Sequence, residues 1–79
     1  MADRTQASET LTRSELAAYL RSLADEFESG DEEVGIDVGN KRVTLNPPEE
    51  LSCDVEVVER SSVLRGSKET VELEFSWKP

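Results

Sequence analysis

The 79-residue sequence predicts an α+β fold in which one amino-terminal helix packs on a four-stranded antiparallel meander sheet. Apolar residues recur at helical spacing between residues 11 and 30, and they alternate with polar residues from residue 34 onward. A chain this short buries only about 60% of its unfolded surface, so it has room for one core. We expect residues 1–10 to form a disordered amino-terminal arm and residues 11–79 to form a single domain.

The helix is predicted from the stretch LTRSELAAYLRSLADEFESG, residues 11–30. Thr12 is the expected N-cap, and Glu15 completes a capping box that satisfies two free amide donors. Gly30 supplies the left-handed residue expected to end the helix. The face expected to pack on the sheet carries Leu16, Leu20, Leu23 and Phe27, with Ala17 and Ala24 beside them. Polar residues occupy the other side, which predicts one amphipathic helix.

The first two strands are predicted as a hairpin with Gly39 and Asn40 in a two-residue loop. This loop fixes four opposed pairs, Val34 with Leu45, Ile36 with Val43, Asp37 with Arg42, and Val38 with Lys41. The register keeps the aliphatic residues on one face and sets an opposite-charge pair on the other. A shift by one residue would mix the two faces, so the register is well specified.

The second strand is expected to end at NPPEE, residues 46–50, because neither proline can donate a ladder hydrogen bond. The third strand is expected from about Ser52. It carries three inward residues, Cys53, Val55 and Val57. The fourth strand is expected over residues 70–77, with a connection containing Gly66 between the two.

Two registers keep the apolar faces of the third and fourth strands matched. One opposes Arg60 to Glu72 and Asp54 to Lys78, and the other sets Glu56 against Glu74. We favour the first register because directly opposed like charges are destabilising. Three apolar residues depart from the alternation, and a bulge or a twisted hairpin tip is expected to accommodate Val58, Val63 and Leu64.

The composition is strongly acidic, with 18 acidic and nine basic residues and a formal charge of −9. Repulsion between these charges opposes compactness in dilute salt, whereas a Debye length of about 3 Å at 1 M salt screens most of it. This balance favours a protein of a salt-rich cytoplasm. The sequence has no apolar run typical of a transmembrane helix or a signal peptide, so we expect a cytoplasmic protein without a membrane partner.

No catalytic, cofactor or metal site is predicted. The sequence has no histidine and a single cysteine, Cys53, which excludes an intramolecular disulfide, the usual zinc ligand sets and the usual base of nucleophilic catalysis. Cys53 is expected to be a small buried hydrophobe. Carboxylates in loops, residues 31–33 and 49–50, lack the spacing of a calcium loop and are interpreted as solvated turns. We therefore expect a non-enzymatic protein.

The apolar positions of the last strand are the first candidate interaction surface, and they comprise Val71, Leu73, Phe75 and Trp77. The last strand of a meander is an edge, and no proline in TVELEFSW blocks pairing there. We expect a strand of another copy or of a partner protein to add to this edge. Trp77 has two open interpretations, a core residue near Tyr19 or Leu16, and an anchor at an interface.

The acidic positions of the sheet are the second candidate surface, and they comprise Asp54, Glu56, Glu72 and Glu74, together with Asp37. Ordered carboxylates would let this face imitate a nucleic acid and bind a nucleic-acid-binding protein, and a simply solvated face is the alternative. Direct nucleic-acid binding is not expected, because the nine cations are scattered along a chain of charge −9.

The chain resembles the Amphi-Trp domain family of small acidic proteins, which is common in salt-loving archaea and also occurs in some bacteria. The resemblance rests on SELAAYLRSLADEFESG, on IDVGNKRVTLNPPEEL and on VELEFSW, and it covers roughly residues 10–78. It implies a small α+β domain and makes Trp77 the signature position of the family. It brings no catalytic signature and no known ligand.

Overall fold

The computed structural model describes residues 3–29 and 32–79. Its elements follow one another as helix α1 (Arg13–Glu28) and strands β1 (Val34–Val38), β2 (Lys41–Leu45), β3 (Ser52–Arg60) and β4 (Lys68–Ser76). The predicted α+β class and the order of the elements are confirmed. The antiparallel strands, however, form two separate two-stranded sheets, β1–β2 and β3–β4, rather than one sheet of four.

The division into two sheets coincides with the connection between β2 and β3, which contains Pro47 and Pro48. Neither proline has an amide hydrogen to donate to a strand ladder, so neither strand continues through this connection. The chain accordingly divides into two compact units, Met1–Pro47 and Pro48–Pro79. The first unit contains α1, β1 and β2, and the second contains β3 and β4.

The start of α1 is closed by the predicted capping box. The Glu15 amide donates to Thr12 Oγ1 at 3.1 Å, and the Thr12 amide donates to Glu15 Oε1 at 3.0 Å. Because the Thr12 backbone and side chain both hydrogen-bond to Glu15, they hold the pKa of this carboxyl below its usual value. At the other end the Ser29 amide donates to the Asp25 carbonyl at 3.0 Å. The predicted terminator, Gly30, lies outside the described residues.

The core of the first unit lies where α1 packs on β1. Val34 is its most buried side chain, with 2% of its surface exposed, and Leu23 and Phe27 of the helix are half-buried. Leu16 and Leu20, on the predicted inner face of α1, are 47% and 40% exposed. The predicted helix face is therefore packed mainly in its carboxyl-terminal half.

The β1–β2 hairpin has the register that the two-residue loop predicts. Val34 lies opposite Leu45, Ile36 opposite Val43, Asp37 opposite Arg42, and Val38 opposite Lys41. Gly39 adopts a φ of 60°, which suits the loop because glycine reaches positive φ without steric cost. The opposite-charge pair is formed, with Arg42 Nη1 at 3.0 Å from Asp37 Oδ1.

The β3–β4 hairpin has neither of the two predicted registers. Asp54 lies opposite Glu74, Glu56 opposite Glu72, and Arg60 opposite Lys68. All three registers keep the apolar faces matched, because they differ by even numbers of residues. The observed register pairs nine residues of each strand and leaves residues 61–67 as the connection, whereas the favoured one would have left residues 61–71 unpaired. The additional ladder pairs outweigh the small cost of opposing like charges.

The connection between β3 and β4 is a turn built around Ser62 and Gly66. The Gly66 amide donates to the Ser62 carbonyl at 3.0 Å, the Arg65 amide donates to Ser62 Oγ at 3.1 Å, and Gly66 has a φ of 78°. Val63 and Leu64 lie fully exposed in this tip. Of the two predicted alternatives, a bulge and a hairpin tip, the tip accommodates these two residues. A bulge is not required at Val58, because Val58 pairs with Thr70 within the regular ladder.

Candidate interaction surfaces of the second hairpin

One face of the β3–β4 hairpin is an apolar strip. Three of its directly opposed pairs are apolar, and they are Cys53 with Phe75, Val55 with Leu73, and Val57 with Val71. Val55, Val57 and Val71 have 62%, 61% and 68% of their surfaces exposed, so the strip faces solvent along most of its length. The predicted assignment of these residues to one face is confirmed.

The predicted burial of this strip is wrong. Cys53, expected to be a small buried hydrophobe, is exposed, and so are Leu73 and Phe75. The physical reason is that the second unit consists of a two-stranded hairpin and contains neither a helix nor a second sheet. A hairpin alone gives its side chains few neighbours on either face.

Trp77 is half-buried and lies one residue beyond β4, which ends at Ser76. The prediction that the strand extends through residue 77 is therefore one residue too long, and the tryptophan follows directly from the strand. Tyr19 donates its hydroxyl to the Asp37 carbonyl at 2.8 Å within the first unit. In the sequence, Trp77 continues the alternation of Val71, Leu73 and Phe75.

The opposite face of the hairpin is charged. Asp54 lies opposite Glu74, and Glu56 opposite Glu72, so four exposed carboxylates form a block two residues wide and two deep. Directly opposed Cβ atoms lie about 5 Å apart, and alternate residues of one strand about 7 Å apart. Nowhere in residues 3–29 and 32–79 do three or more potential metal ligands converge. The block is therefore an array of separate negative charges.

The charge on this face changes sign along the hairpin. Beyond the carboxylate block come Val58 and Thr70, and then Arg60 opposite Lys68 next to the connecting turn. The acidic residues were predicted from the alternation alone, but their opposition and the cationic end were missed, because both depend on the register. The length of the connection was the signal available for that register.

Asp37, predicted as part of the same acidic face, belongs to the other hairpin, where Arg42 binds it. Arg42 Nη2 also lies 3.1 Å from Glu26 Oε1, and this oxygen accepts the Gly35 amide at 2.9 Å. The hydrogen bond to Asp37 and the charge of Glu26 raise the pKa of Arg42. Asp37 therefore forms an ion pair within the first unit and does not belong to the acidic face of the second hairpin.

Glu26 was not identified in the sequence, although it joins α1 to both strands of the first hairpin. Its position three residues after Leu23 and seven after Tyr19, on the packed side of the helix, was the available signal. Gly35 has a matching role, because a β-carbon there would overlap the Arg42 guanidinium. The polar groups of this cluster bind one another and connect α1, β1 and β2 within the first unit.

The part of the chain that the structure describes contains no helix long and apolar enough to cross a membrane. A family model, the Amphi-Trp domain, matches residues 2–79. No curated protein and no solved structure matches the chain.

Proposed function

The chain belongs to the Amphi-Trp domain family, and we propose that it is a small non-enzymatic protein-interaction or regulatory module that binds through β4 and the adjoining Trp77. The observation that carries this proposal is that, among the described residues, β4 has one unpaired edge and exposed apolar side chains. The strand pairs with β3 alone, and its apolar residues Val71 and Leu73 are 68% and 48% exposed. An edge with exposed apolar side chains is a template for an added strand.

Strand addition would use both the backbone and the side chains of β4. Its outward amide and carbonyl groups would bind a partner strand, and Val71, Leu73 and Phe75 would extend one apolar face across the new pair. Covering the exposed parts of Val71 and Leu73 would contribute on the order of 1 kcal/mol each. Trp77 would then lie at the margin of the contact, where an aromatic anchor restricts access of water.

The chemistry of the first unit supports a binding role at β4 by contrast. In its polar cluster, Arg42 forms ion pairs with Glu26 and Asp37. The Gly35 amide of β1 donates a hydrogen bond to the Glu26 carboxylate of the helix. In β3–β4 the opposed charged pairs join like charges, and Val55, Val57 and Val71 are 62%, 61% and 68% exposed. We place the binding surface on this hairpin.

The matched variants Val71→Lys and Val57→Lys test this proposal. The two valines lie directly opposite each other on the same face, and both are well exposed, so each variant should leave the hairpin folded. A lysine on the inner side of an edge strand opposes pairing. At molar KCl, Val71→Lys and Trp77→Ala should each abolish binding of a copurified partner or self-association of the chain. Val57→Lys should leave both unchanged.

Equal losses in the Val71 and Val57 variants would place binding on the apolar face instead of the β4 edge. A chain that is monomeric at all concentrations, and that retains every stoichiometric partner after Val71→Lys and Trp77→Ala, contradicts the proposal. Far-UV circular dichroism of each variant separates loss of binding from loss of folding.

A salt-rich cytoplasm is the setting we propose for this module. The formal charge of −9 and the opposed carboxylates at Asp54–Glu74 and Glu56–Glu72 support it. These repulsions weaken as added salt shortens the Debye length to about 3 Å at 1 M.

The carboxylate block supports a second candidate function, an acidic modulator that binds a nucleic-acid-binding protein in place of nucleic acid. Its test is the double substitution Glu72→Gln with Glu74→Gln, compared with Glu49→Gln and Glu50→Gln, which remove the same charge from an exposed loop of the same unit. We expect the first pair of substitutions alone to abolish binding of a partner that duplex DNA displaces. Binding that survives it rules this function out.

A further inference from the structure

Every charged pair within the β3–β4 ladder joins like charges. Carboxylates oppose carboxylates at Asp54–Glu74, Glu56–Glu72 and Glu59–Glu69, and cations oppose each other at Arg60–Lys68. Ion pairs among the described residues join Arg42 to Glu26 and Asp37, so neither Arg60 nor Lys68 has a carboxylate partner in residues 3–29 and 32–79. No charged residue of this hairpin therefore faces a residue of opposite charge across the ladder.

The arrangement of those charges is complementary to a reversed copy of itself. Going from residue 68 along β4, the charged face reads lysine, threonine, glutamate and glutamate, at Lys68, Thr70, Glu72 and Glu74. An antiparallel neighbour of the same sequence places its acidic end beside the cationic end. Because opposite charges on facing residues stabilise a strand pair, the charge pattern favours a second copy as the neighbour.

We propose that β4 pairs with β4 of a second copy, antiparallel, about a two-fold axis at Val71. This inference rests on the function proposed above and identifies the partner strand. Lys68 then lies opposite Glu74 of the second copy, and Glu74 opposite Lys68 of the second copy. Val71 meets its own counterpart on the apolar face, and Thr70 faces Glu72 of the second copy.

The other registers that match apolar to apolar faces fit less well. An axis at Glu72 sets this glutamate against itself and pairs no cation with a carboxylate. An axis at Leu73 sets Glu72 against Glu74 twice, and an axis at Thr70 restricts the ladder to residues 68–72. With the axis at Val71, residues 68–74 pair and both opposite-charge contacts form. Charge therefore selects this register over the longer ladder of residues 68–76 that an axis at Glu72 would give.

The resulting assembly is a closed dimer, because a two-fold interface uses the same surface of both copies. Its sheet would have the order β3–β4–β4–β3, with the apolar strips of two hairpins on one face. Two-stranded hairpins are marginally stable alone, and sheets of three or more strands with an apolar face are not. Dimerisation would therefore stabilise the second hairpin as well as cover the β4 edge.

The test uses two single substitutions, Lys68→Glu and Glu74→Lys, in the full chain. Each sets like charges at both symmetric contacts of the proposed dimer, so sedimentation velocity should show about tenfold weaker self-association or more. Inside the hairpin each substitution does the reverse, since it creates an opposite-charge pair with Arg60 or Asp54. Loss of self-association therefore cannot be explained by a destabilised hairpin.

Mixing the two variants gives the decisive result. In a heterodimer the introduced carboxylate faces the introduced ammonium, and Lys68 of one copy faces Glu74 of the other, so a 1:1 dimer should form although neither variant dimerises alone. The control is Arg60→Glu, which makes the same change of charge beside Lys68 but on β3, and it should leave dimerisation unchanged. Measurements are made at the lowest KCl concentration at which circular dichroism shows the folded protein.

A mixture that stays monomeric overturns the register, and loss of the dimer in Arg60→Glu instead of Lys68→Glu assigns pairing to β3 and overturns the proposal. A wild-type chain that is monomeric throughout overturns self-association itself. The proposed function survives that last result if another protein binds the wild type and Val71→Lys releases it, so the two failures are distinguishable.

Discussion

The two hairpins of this protein differ in whether their charged side chains find opposite charges within their own unit. In β1–β2, Arg42 binds Asp37 and Glu26, and Glu26 also accepts the Gly35 amide. In β3–β4, Asp54 faces Glu74, Arg60 faces Lys68, and the apolar strip is exposed. Equally clear strand alternation therefore produces a hairpin with paired charges in one case, and a hairpin with opposed like charges and exposed apolar residues in the other.

Lowering the salt concentration should have the largest effect and should separate the two hairpins. We expect far-UV circular dichroism to show substantially less structure at 0.05 M than at 2 M KCl, because repulsion between unpaired like charges grows as the Debye length increases. As the salt concentration is lowered, the amides of residues 52–60 and 68–76 should lose protection from hydrogen exchange first. The amides of residues 34–45 should lose it only at a lower salt concentration. Full protection of β3–β4 in dilute buffer would contradict both this contrast and the proposed salt-rich setting.

The substitution Val34→Ala should give the largest loss of stability among single changes. Val34 is 2% exposed, and removing its two methyl groups from the core should lower the free energy of unfolding by about 2 kcal/mol. Val57→Ala makes the same change at a 61% exposed position and should cost less than about 0.5 kcal/mol. Urea denaturation measures both, and equal losses would show that the apolar strip is covered in solution.

The substitution Thr12→Ala should cost about 1 kcal/mol, because it removes the side-chain oxygen that accepts the Glu15 amide. Ser62→Ala removes a comparable acceptor, the one for the Arg65 amide at the tip of the second hairpin. That turn caps no helix and is exposed, so we expect a smaller loss there. A larger loss at Ser62 than at Thr12 would mean that the tip organises more of the fold than the helix cap.

The substitution Glu72→Lys should stabilise the second hairpin by about 0.5 kcal/mol, since it sets opposite charges at positions 56 and 72. Reversing the charge of Arg42 in the first hairpin should have the opposite effect, because Asp37 and Glu26 both bind it. Denaturation at the lowest KCl concentration at which circular dichroism shows the folded protein compares the two variants. Destabilisation by Glu72→Lys would contradict the observed register of β3–β4.

The smallest expected effect is the pH dependence of the capping box. The pKa of Glu15 is lowered in the folded chain, so its contribution to stability is present above its usual pKa and is lost as the pH falls through the lowered value. The stability difference between the wild type and Glu15→Gln should therefore shrink as the pH falls below about 4. A difference that stays constant across that range would show that the ionised carboxylate is not what closes the helix start.

The sequence predicted a feature correctly wherever the interactions that determine it are local. Gly39 and Asn40 leave one loop length for β1–β2, so every pair followed, including Asp37 with Arg42. The seven-residue connection of β3–β4 permits several registers with matched faces, and the rule of opposite charges selected the wrong one. Within this hairpin, ladder length determined the register and the opposite-charge rule did not.

The candidate surfaces were predicted as residue sets but not as geometry. The alternation identified the apolar phase through Val71, Leu73 and Phe75, and the acidic phase through Glu72 and Glu74. It did not indicate that Cys53 would be exposed or that Asp37 would be bound by Arg42, because both depend on which elements pack together. Glu26 was missed for the same reason, since its partners are nine and 16 residues away.

The exposed thiol of Cys53 has a practical consequence. It is the single sulfhydryl of the chain, and it stands on the apolar strip opposite Phe75. A fluorophore or spin label attached there would report on the surroundings of that strip from one known position, and the native chain needs no engineered cysteine for it. In air the same atom can join two molecules covalently, so hydrodynamic experiments on this protein require a reductant from the first purification step onward.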